Sequence, residues 1–316
     1  MNRSLRANLM LLTTALIWGV AFVAQDVAMD SMPPFAFNAA RMFLAGLVLI
    51  PCISLLKGRT QAASSQPAGP ESPAAAPSRI PPLAPGILCG AALFLGSSLQ
   101  QFGIRDSSAG KAGFVTALYI VLVPLTGLLW GKKVRLRVWL AVGVATLGLF
   151  LLCVTSDFTI GPGDLFLILC AFCFTAHILL IDHFAPRTDC LKMSCIQFFA
   201  AAALCLVASL LWEKPTWEGA RQALIPILYA GALSGAVGYT LQILAQRDTS
   251  PTIASLLMCL ESVFAVLADW ALLGDVLSPR ELSGCALMLT GIVLAQLPVR
   301  EKHPAQATAQ AAEKTL

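Results

Sequence analysis

GSSLQQFGIRDSSAGKAGFVTAL, residues 96–118, falls on GYTLQILAQRDTSPTIASLLMCL, residues 238–260, when the chain is shifted against itself by 142 positions. Gly96, Leu99, Gln100, Arg105, Asp106, Ser108, Ala112 and Leu118 match Gly238, Leu241, Gln242, Arg247, Asp248, Ser250, Ala254 and Leu260. One inserted residue later, Gly131 and Gly148 match Gly274 and Gly291. A second offset, 156, relates the start of the two halves and sets Ala15 on Ala171, Asn38 on Ser194, Arg41 on Gln197 and Ala45 on Ala201. Self-similarity at a fixed offset marks a repeated structural unit.

The material around the repeat is lipid-soluble. Charged residues make up 12% of the chain and hydrophobic ones 57%, with a mean hydropathy of +0.77. Soluble domains carry about 25% charged residues. Apolar runs of about 20 residues alternate with short charged connectors, and lipid satisfies no backbone hydrogen bonds, so each run must be a helix. The runs are Asn8–Gln25, Phe35–Leu56, Gly86–Ile104, Ala109–Leu129, Val138–Val154, Leu165–Ile181, Leu191–Trp212, Ala223–Ala245, Thr252–Leu273 and Leu282–Leu297. The first is too long for a signal peptide, lacks an A-x-A-like exit and is followed by nine more.

Lys and Arg set the orientation. With the N-terminus in the cytoplasm, basic residues favour the inner side by 15 to 5. Arg41 is left inside a span. Both termini are then cytoplasmic. Each half holds five spans, and an odd number turns the second half upside down: Arg105 falls outside and its match Arg247 inside. The predicted fold is all-α, with ten transmembrane helices as two inverted five-helix repeats. The first repeat covers 8–154 and the second 164–298, between a cytoplasmic N-terminus (1–7) and a cytoplasmic tail (299–316). The Pro-, Ala- and Ser-rich stretch 57–84 reads as a disordered cytoplasmic loop. Inverted repeats around a midplane site are a recurring plan of secondary transporters.

Several other functions lack their marks. No G-x-x-x-x-G-K-[ST] is present, so nothing points to ATP hydrolysis. Neither H-E-x-x-H nor G-x-S-x-G occurs, and no His/Asp cluster suggests a metal. Cys170 and Cys173 form a CxxC in the middle of a helix, where small side chains pack. The net charge of +4 is spread over connectors, and nothing in it suggests nucleic-acid binding. No cofactor is expected. The expected partners are a small-molecule substrate and the lipid bilayer, and the oligomeric state stays open. The alternatives to a carrier are a membrane-embedded enzyme and a non-transporting scaffold.

Six segments, in order, carry a family resemblance: ALIWGVAFVAQ, FNAARMFLAGLVL, SAGKAGFVTALYIVLVPLTGLLWG, GDLFLILCAFCFTAHILL, TIASLLMCLESVFAVLADWALLGD and LSGCALMLTGIVLAQL. With them the chain resembles the EamA family of the drug/metabolite transporter superfamily. The resemblance implies a ten-helix bundle with a central cavity and transport of metabolites across the cell membrane, often as efflux. It implies no one substrate. Ser262 stands where the family often has proline, Asp269 where a small residue is common, and Asp275 where glutamate is expected.

Ionisable groups inside spans cost about 2.5–3.5 kcal/mol each at a helix centre and are the best functional pointers. They are Arg41, His177, Glu261 and Asp269. Glu261, near the middle of the ninth span, is a candidate proton carrier or ligand for a cationic group; its bland reading is a helix–helix hydrogen bond. Arg41 offers a fork for a substrate carboxylate or phosphate, unless it pairs or snorkels. His177 is a proton-coupling candidate, or else a packing residue. Tyr119 matches Glu261 at the 142 offset. Trp18, Arg41, Tyr119, Tyr239 and Glu261 are the candidate substrate-binding set. Gln100 and Gln242 are candidate gating residues. Gly86 and Gly90, like Gly231 and Gly235, stand four apart and allow close helix approach, for sliding or plain packing. Trp130, Trp139 and Trp212 read as interfacial anchors.

Overall fold

The computed structural model describes residues 3–64, 80–106, 109–129, 131, 134–153, 161–273 and 278–297. Stretch 65–79, the tail 299–316, Trp130, Asp275 and the side chain of Asp269 lie outside the described residues. Every element is helical: α1 (Arg3–Met29), α2 (Pro34–Ser64), α3 (Leu83–Arg105), α4 (Ala109–Thr116), α5 (Tyr119–Leu129), α6 (Leu136–Cys153) and α7 (Pro162–Phe184). After a short 3₁₀ turn come α8 (Cys190–Trp212), α9 (Trp217–Gln222), α10 (Leu224–Leu228), a π-wound segment (Tyr229–Tyr239), α11 (Thr240–Gln246), α12 (Pro251–Met258), α13 (Glu261–Leu273) and α14 (Pro279–Gln296).

Among the described residues, eight helices are long and apolar enough to cross a membrane. The expected fifth and tenth spans fall short of that measure. The apolar part of α6, Leu136–Leu152, is shorter than the others. In α14 the first turn holds Pro279, Arg280 and Glu281, and its Glu281 side chain accepts from Ser278 N in a capping box. These two helices pack against each other more extensively than any other pair. A Cβ on Gly148 would stand 2.7 Å from Gly284 O, and one on Gly284 2.7 Å from Gly148 O, so only glycine permits this crossing.

The bundle has an apolar outside, and its largely apolar core encloses a set of buried polar side chains. Leu129, Ile225, Leu210 and Trp212 are largely exposed, whereas Asn38, Gln101, Gln197, Gln242, Gln246 and Glu261 are buried. Water would reverse that arrangement, and lipid demands it. Interior amides and hydroxyls tie helices together. Asn38 Nδ2 donates to Ser97 O (3.2 Å), Gln101 Nε2 to Gln25 O (3.2 Å) and Gln246 Nε2 to Ile178 O (3.0 Å).

Two expectations change. The disordered stretch was expected from residue 57, yet α2 runs on to Ser64. Its last residues, Lys57–Ser64 (KGRTQAAS), hold no proline, and the first helix-breaking prolines after them are Pro67 and Pro70. At the other end of the stretch, Ile80 is pinned, its N donating to Arg187 O (2.9 Å) and its O accepting from Thr188 Oγ1 (2.8 Å). The fourth and ninth spans each run as one apolar segment, but a tightened two-residue turn, not expected, divides each into two helices. In the first break, Leu118 N donates to Val115 O and Ile120 N to Ala117 O. In the second, Leu260 N donates to Leu257 O and Ser262 N to Cys259 O. These are the same i→i+3 bonds displaced by 142 residues.

Candidate functional site

Both breaks open onto one cavity. The residues that start the second half of each broken helix are Tyr119 and Glu261, and the Tyr119 hydroxyl donates to Glu261 Oε1 at 3.0 Å. Tyr119 is 4% and Glu261 5% exposed. Trp18, Arg41, Gln100, His177, Tyr239 and Gln242 line the same space. Residues far apart in the chain and chosen as ionisable, aromatic or amide within spans are thus brought together.

The wall is built from matched positions. Tyr119 faces Glu261, Gln100 matches Gln242, and Thr116 matches Met258, all at the 142 offset. Trp18 matches Phe174, Ala21 matches His177, and Phe22 matches Ile178 at the 156 offset. Local packing repeats too. A Cβ on Gly96 would meet the Phe174 ring at 3.2 Å, and one on Gly238 would meet Trp18 Nε1 at 2.6 Å. Each glycine makes room for an aromatic from the first helix of the other half.

Tyr239 sits at the centre of the aromatic wall. Its ring lies 4.6 Å from Trp18, 5.6 Å from Phe198 and 5.8 Å from His177, centroid to centroid. Trp18 Nε1 donates to Ser234 O (3.2 Å), which fixes the indole against the π-wound segment. His177, 1% exposed, bonds through Nε2 to Gln197 Oε1 at 3.1 Å. Gln197 is the 156-offset counterpart of Arg41. Arg41 is 5% exposed and donates from Nε to Asn38 Oδ1 at 2.7 Å. The free volume is about 40 Å³, room for a few waters. A larger apolar groove of about 550 Å³ between α2 and α8, walled by exposed Phe43, Leu206 and Leu210, carries none of these groups.

The other candidates lie off the cavity. A Cβ on Gly86 or Gly90 would press into Ile196 or Ala200 of α8, and one on Gly231 or Gly235 into Arg41 O or Ala45 of α2. These glycines set helix crossings. Trp139 lines a shallow lateral hollow on α6, and Trp212 is exposed beside Phe35, 6.2 Å away. Cys170 is buried and touches Thr116 Oγ1 at 3.9 Å. Gln101 and Gln246, rather than Gln100, reach neighbouring helices; Gln242 Nε2 supports Gln246 at 3.0 Å.

Sequence reasoning missed Asn38, Thr116, Phe174, Ser234 and Met258. Phase was available for three of them, since Phe174 is the partner of Trp18, and Thr116 and Met258 are partners of each other. Glu213 was also missed. Its two carboxylate oxygens accept from Phe35 N (2.9 Å) and Ala36 N (2.8 Å), capping the start of α2 from the end of α8. Outside the membrane-spanning segments, the Arg105 guanidinium bonded to Asp106 (2.9 Å) holds that carboxyl below the usual carboxylate range.

The sequence profile of the EamA-like transporter family matches the chain twice, over residues 5–154 and 161–297. An uncharacterized transporter of Archaeoglobus fulgidus is 30% identical over 298 residues, covering 94% of this chain and 88% of that protein. The uncharacterized inner membrane transporter YedA of Escherichia coli K12 is 23% identical, covering 89% and 88%. An S-adenosylmethionine/S-adenosylhomocysteine transporter of Chlamydia trachomatis is 26% identical, covering 90% and 87%. A crystal structure described without a function superposes with a TM-score of 0.73 at 19% identity, over 92% of this chain and 96% of that one, a likeness of fold. Together with the long apolar helices, these matches make this a multi-pass membrane protein that belongs to the EamA-like transporter family.

Proposed function

We propose that the protein is a secondary transporter that moves small metabolites or drug-like solutes across the cytoplasmic membrane by alternating access, in the direction of export. In this reading ten helices cross the membrane as two inverted five-helix repeats, 8–154 and 164–298, with both termini cytoplasmic. Helices α6 and α14 are the fifth and tenth spans. They are roughly 26 Å long at 1.5 Å per residue, slightly under the hydrocarbon thickness, and local bilayer thinning accommodates that.

The observation that carries the reading is the cavity at the two helix breaks, lined by positions that match at the repeat offsets. Related halves meeting at a midplane site, with discontinuous helices beside it, are what alternating access uses. The closed volume fits an intermediate between two open states. Trp18, Arg41, Tyr119, Tyr239 and Glu261 hold the solute. Glu261 and His177 are the groups on the wall able to carry a proton. Gln100 and Gln242 act at the ends of the cavity, and the paired glycines of α3 and the π-wound segment form the surfaces on which the halves move.

Purified protein in proteoliposomes tests the proposal. Counterflow is measured for a broad panel of metabolites and cationic dyes, with S-adenosylmethionine included because one relative is named for it. Saturable exchange of at least one solute is expected. Folded protein that exchanges none of them would sink the reading.

A further inference from the structure

The two repeats do not keep one offset along their matching third helices. A Cβ on Gly90 would stand 2.7 Å from Gln197 O and 2.7 Å from the Cβ of Ala200, and one on Gly231 would stand 2.7 Å from Arg41 O and 3.0 Å from the Cβ of Leu44. Arg41 and Leu44 match Gln197 and Ala200 at the 156 offset, so Gly231 occupies the place of Gly90, an offset of 141. Gly238, against Trp18, occupies the place of Gly96, against Phe174, at 142. The second repeat therefore carries one residue more between these two contacts, seven positions against six. A π turn closes i→i+5 rather than i→i+4, takes up one extra residue, and is frequent at functional sites. The winding agrees. Tyr229–Tyr239 is π-wound, whereas its counterpart is uninterrupted α-helix inside α3.

Side-chain bonds to α1 hold the widened turn. Trp18 Nε1 donates to Ser234 O (3.2 Å), and the Tyr229 hydroxyl donates to Ile17 O (3.0 Å). Thr14 Oγ1, 3.0 Å from Met10 O of its own helix, also lies 3.1 Å from Gly238 O. At the matched positions of the other half these donors are replaced. Phe174 stands for Trp18, Ile87 or Leu88 for Tyr229, and Cys170, which touches Thr116 instead, for Thr14. The turn ends at Tyr239, whose ring lies 4.6 Å from Trp18 on the cavity wall, and the match of Tyr239 in α3 is Ser97. The extra residue, the bonds that hold it and the paired rings thus belong to the same turn.

We infer that the inserted residue is a positioning device for the solute site, with Thr14 and Tyr229 as its positioning residues. They clamp α1 to the widened turn and so set Trp18 against Tyr239. Neither lines the cavity, so each acts through those rings. The inference rests on the transporter reading and names what shapes its aromatic wall.

The test uses a solute that exchanges in the counterflow panel, with KM, maximal rate and melting temperature measured for each variant. Thr14→Val and Tyr229→Phe each remove one clamp bond. Each is expected to raise KM about five-fold or more while the maximal rate changes less than about two-fold, the mark of lost binding rather than lost turnover. Thr14→Ser, which keeps the hydroxyl, should keep the wild-type KM. Deleting Leu233, exposed on the bundle surface, restores the six-residue spacing of the first repeat and should raise KM as well. Wild-type KM in both Thr14→Val and Tyr229→Phe overturns the inference, even where both melt lower, because the turn is then packing alone. A rise in Thr14→Ser equal to that in Thr14→Val overturns the part given to the hydroxyl. A Leu233 deletion that folds and keeps the wild-type KM overturns the part given to the insertion, and the point variants decide if it does not fold. All of these outcomes leave transport standing. Folded wild-type protein that exchanges nothing removes the transporter reading and the inference with it.

Discussion

Tyr119 and Glu261 hydrogen-bond across the cavity at 3.0 Å, and they stand 142 positions apart, the offset that superposes the two copies of the repeat. Each begins the second, C-terminal part of its span, and the bonds at the two turns are the same. The contact therefore lies where the two halves face each other. A group at that place reports on both halves at once.

Removing the carboxylate should stop or uncouple transport. Glu261→Gln is expected to lower proteoliposome flux by ten-fold or more, or to abolish its dependence on a proton gradient. Tyr119→Phe deletes one hydrogen bond, worth about 0.5–1.5 kcal/mol, and should give an intermediate loss. Wild-type flux and coupling in Glu261→Gln would remove this residue from the mechanism.

The two ends of the bundle should respond separately. Gln101 ties α3 to the end of α1, and Gln246 ties α11 to the end of α7. Gln101→Leu is expected to raise thiol labelling of an introduced cysteine at Gln25 from the outside. Gln246→Leu should do the same for a cysteine at Ile178 from the cytoplasm. Equal labelling from both sides in either variant contradicts this assignment.

Glu213 should act as a clamp. Glu213→Ala leaves two backbone N–H groups at the start of α2 without their acceptor, and loss of a helix cap costs about 1–2 kcal/mol. A lower melting temperature in detergent and faster labelling of Ser31→Cys are expected. If both are unchanged, the clamp contributes nothing.

Glycine positions separate by space. Gly284→Leu forces a side chain into the backbone of α6 and should destabilise by more than about 2 kcal/mol. Gly143, also on α6, has nothing within 4 Å of an added Cβ, so Gly143→Ala should be neutral or stabilise by about 0.5–1 kcal/mol. Thermal unfolding of the two variants side by side checks the contrast. Similar melting shifts would show that the α6–α14 crossing does not govern stability.

Legibility followed the kind of signal. Apolar length marked the strongly apolar spans, and self-similarity paired Tyr119 with Glu261 before any coordinates. The helix breaks gave no warning, because neither Ala117–Leu118 nor Cys259–Leu260 contains Pro or Gly. Asn38 and Ser234 looked like ordinary small polar residues, since a helix apolar all round carries no sign of which face turns inward. Glu213 gave no signal in the sequence because its partners are backbone groups, which have no sequence signature. The weak fifth and tenth spans reflect a polar first turn in α14 and a short apolar run in α6.

The Tyr119–Glu261 contact also bears on why the halves differ. Two identical halves facing each other across this point would present either two phenols or two carboxylates. Paired carboxylates at that range cannot both ionise, and paired phenols supply no charge. Joining the halves in one chain frees each position to change alone, so one supplies the donor and the other the acceptor. The pair is a broken symmetry, and the polarity of the site, with Arg41 opposite Gln197, depends on it.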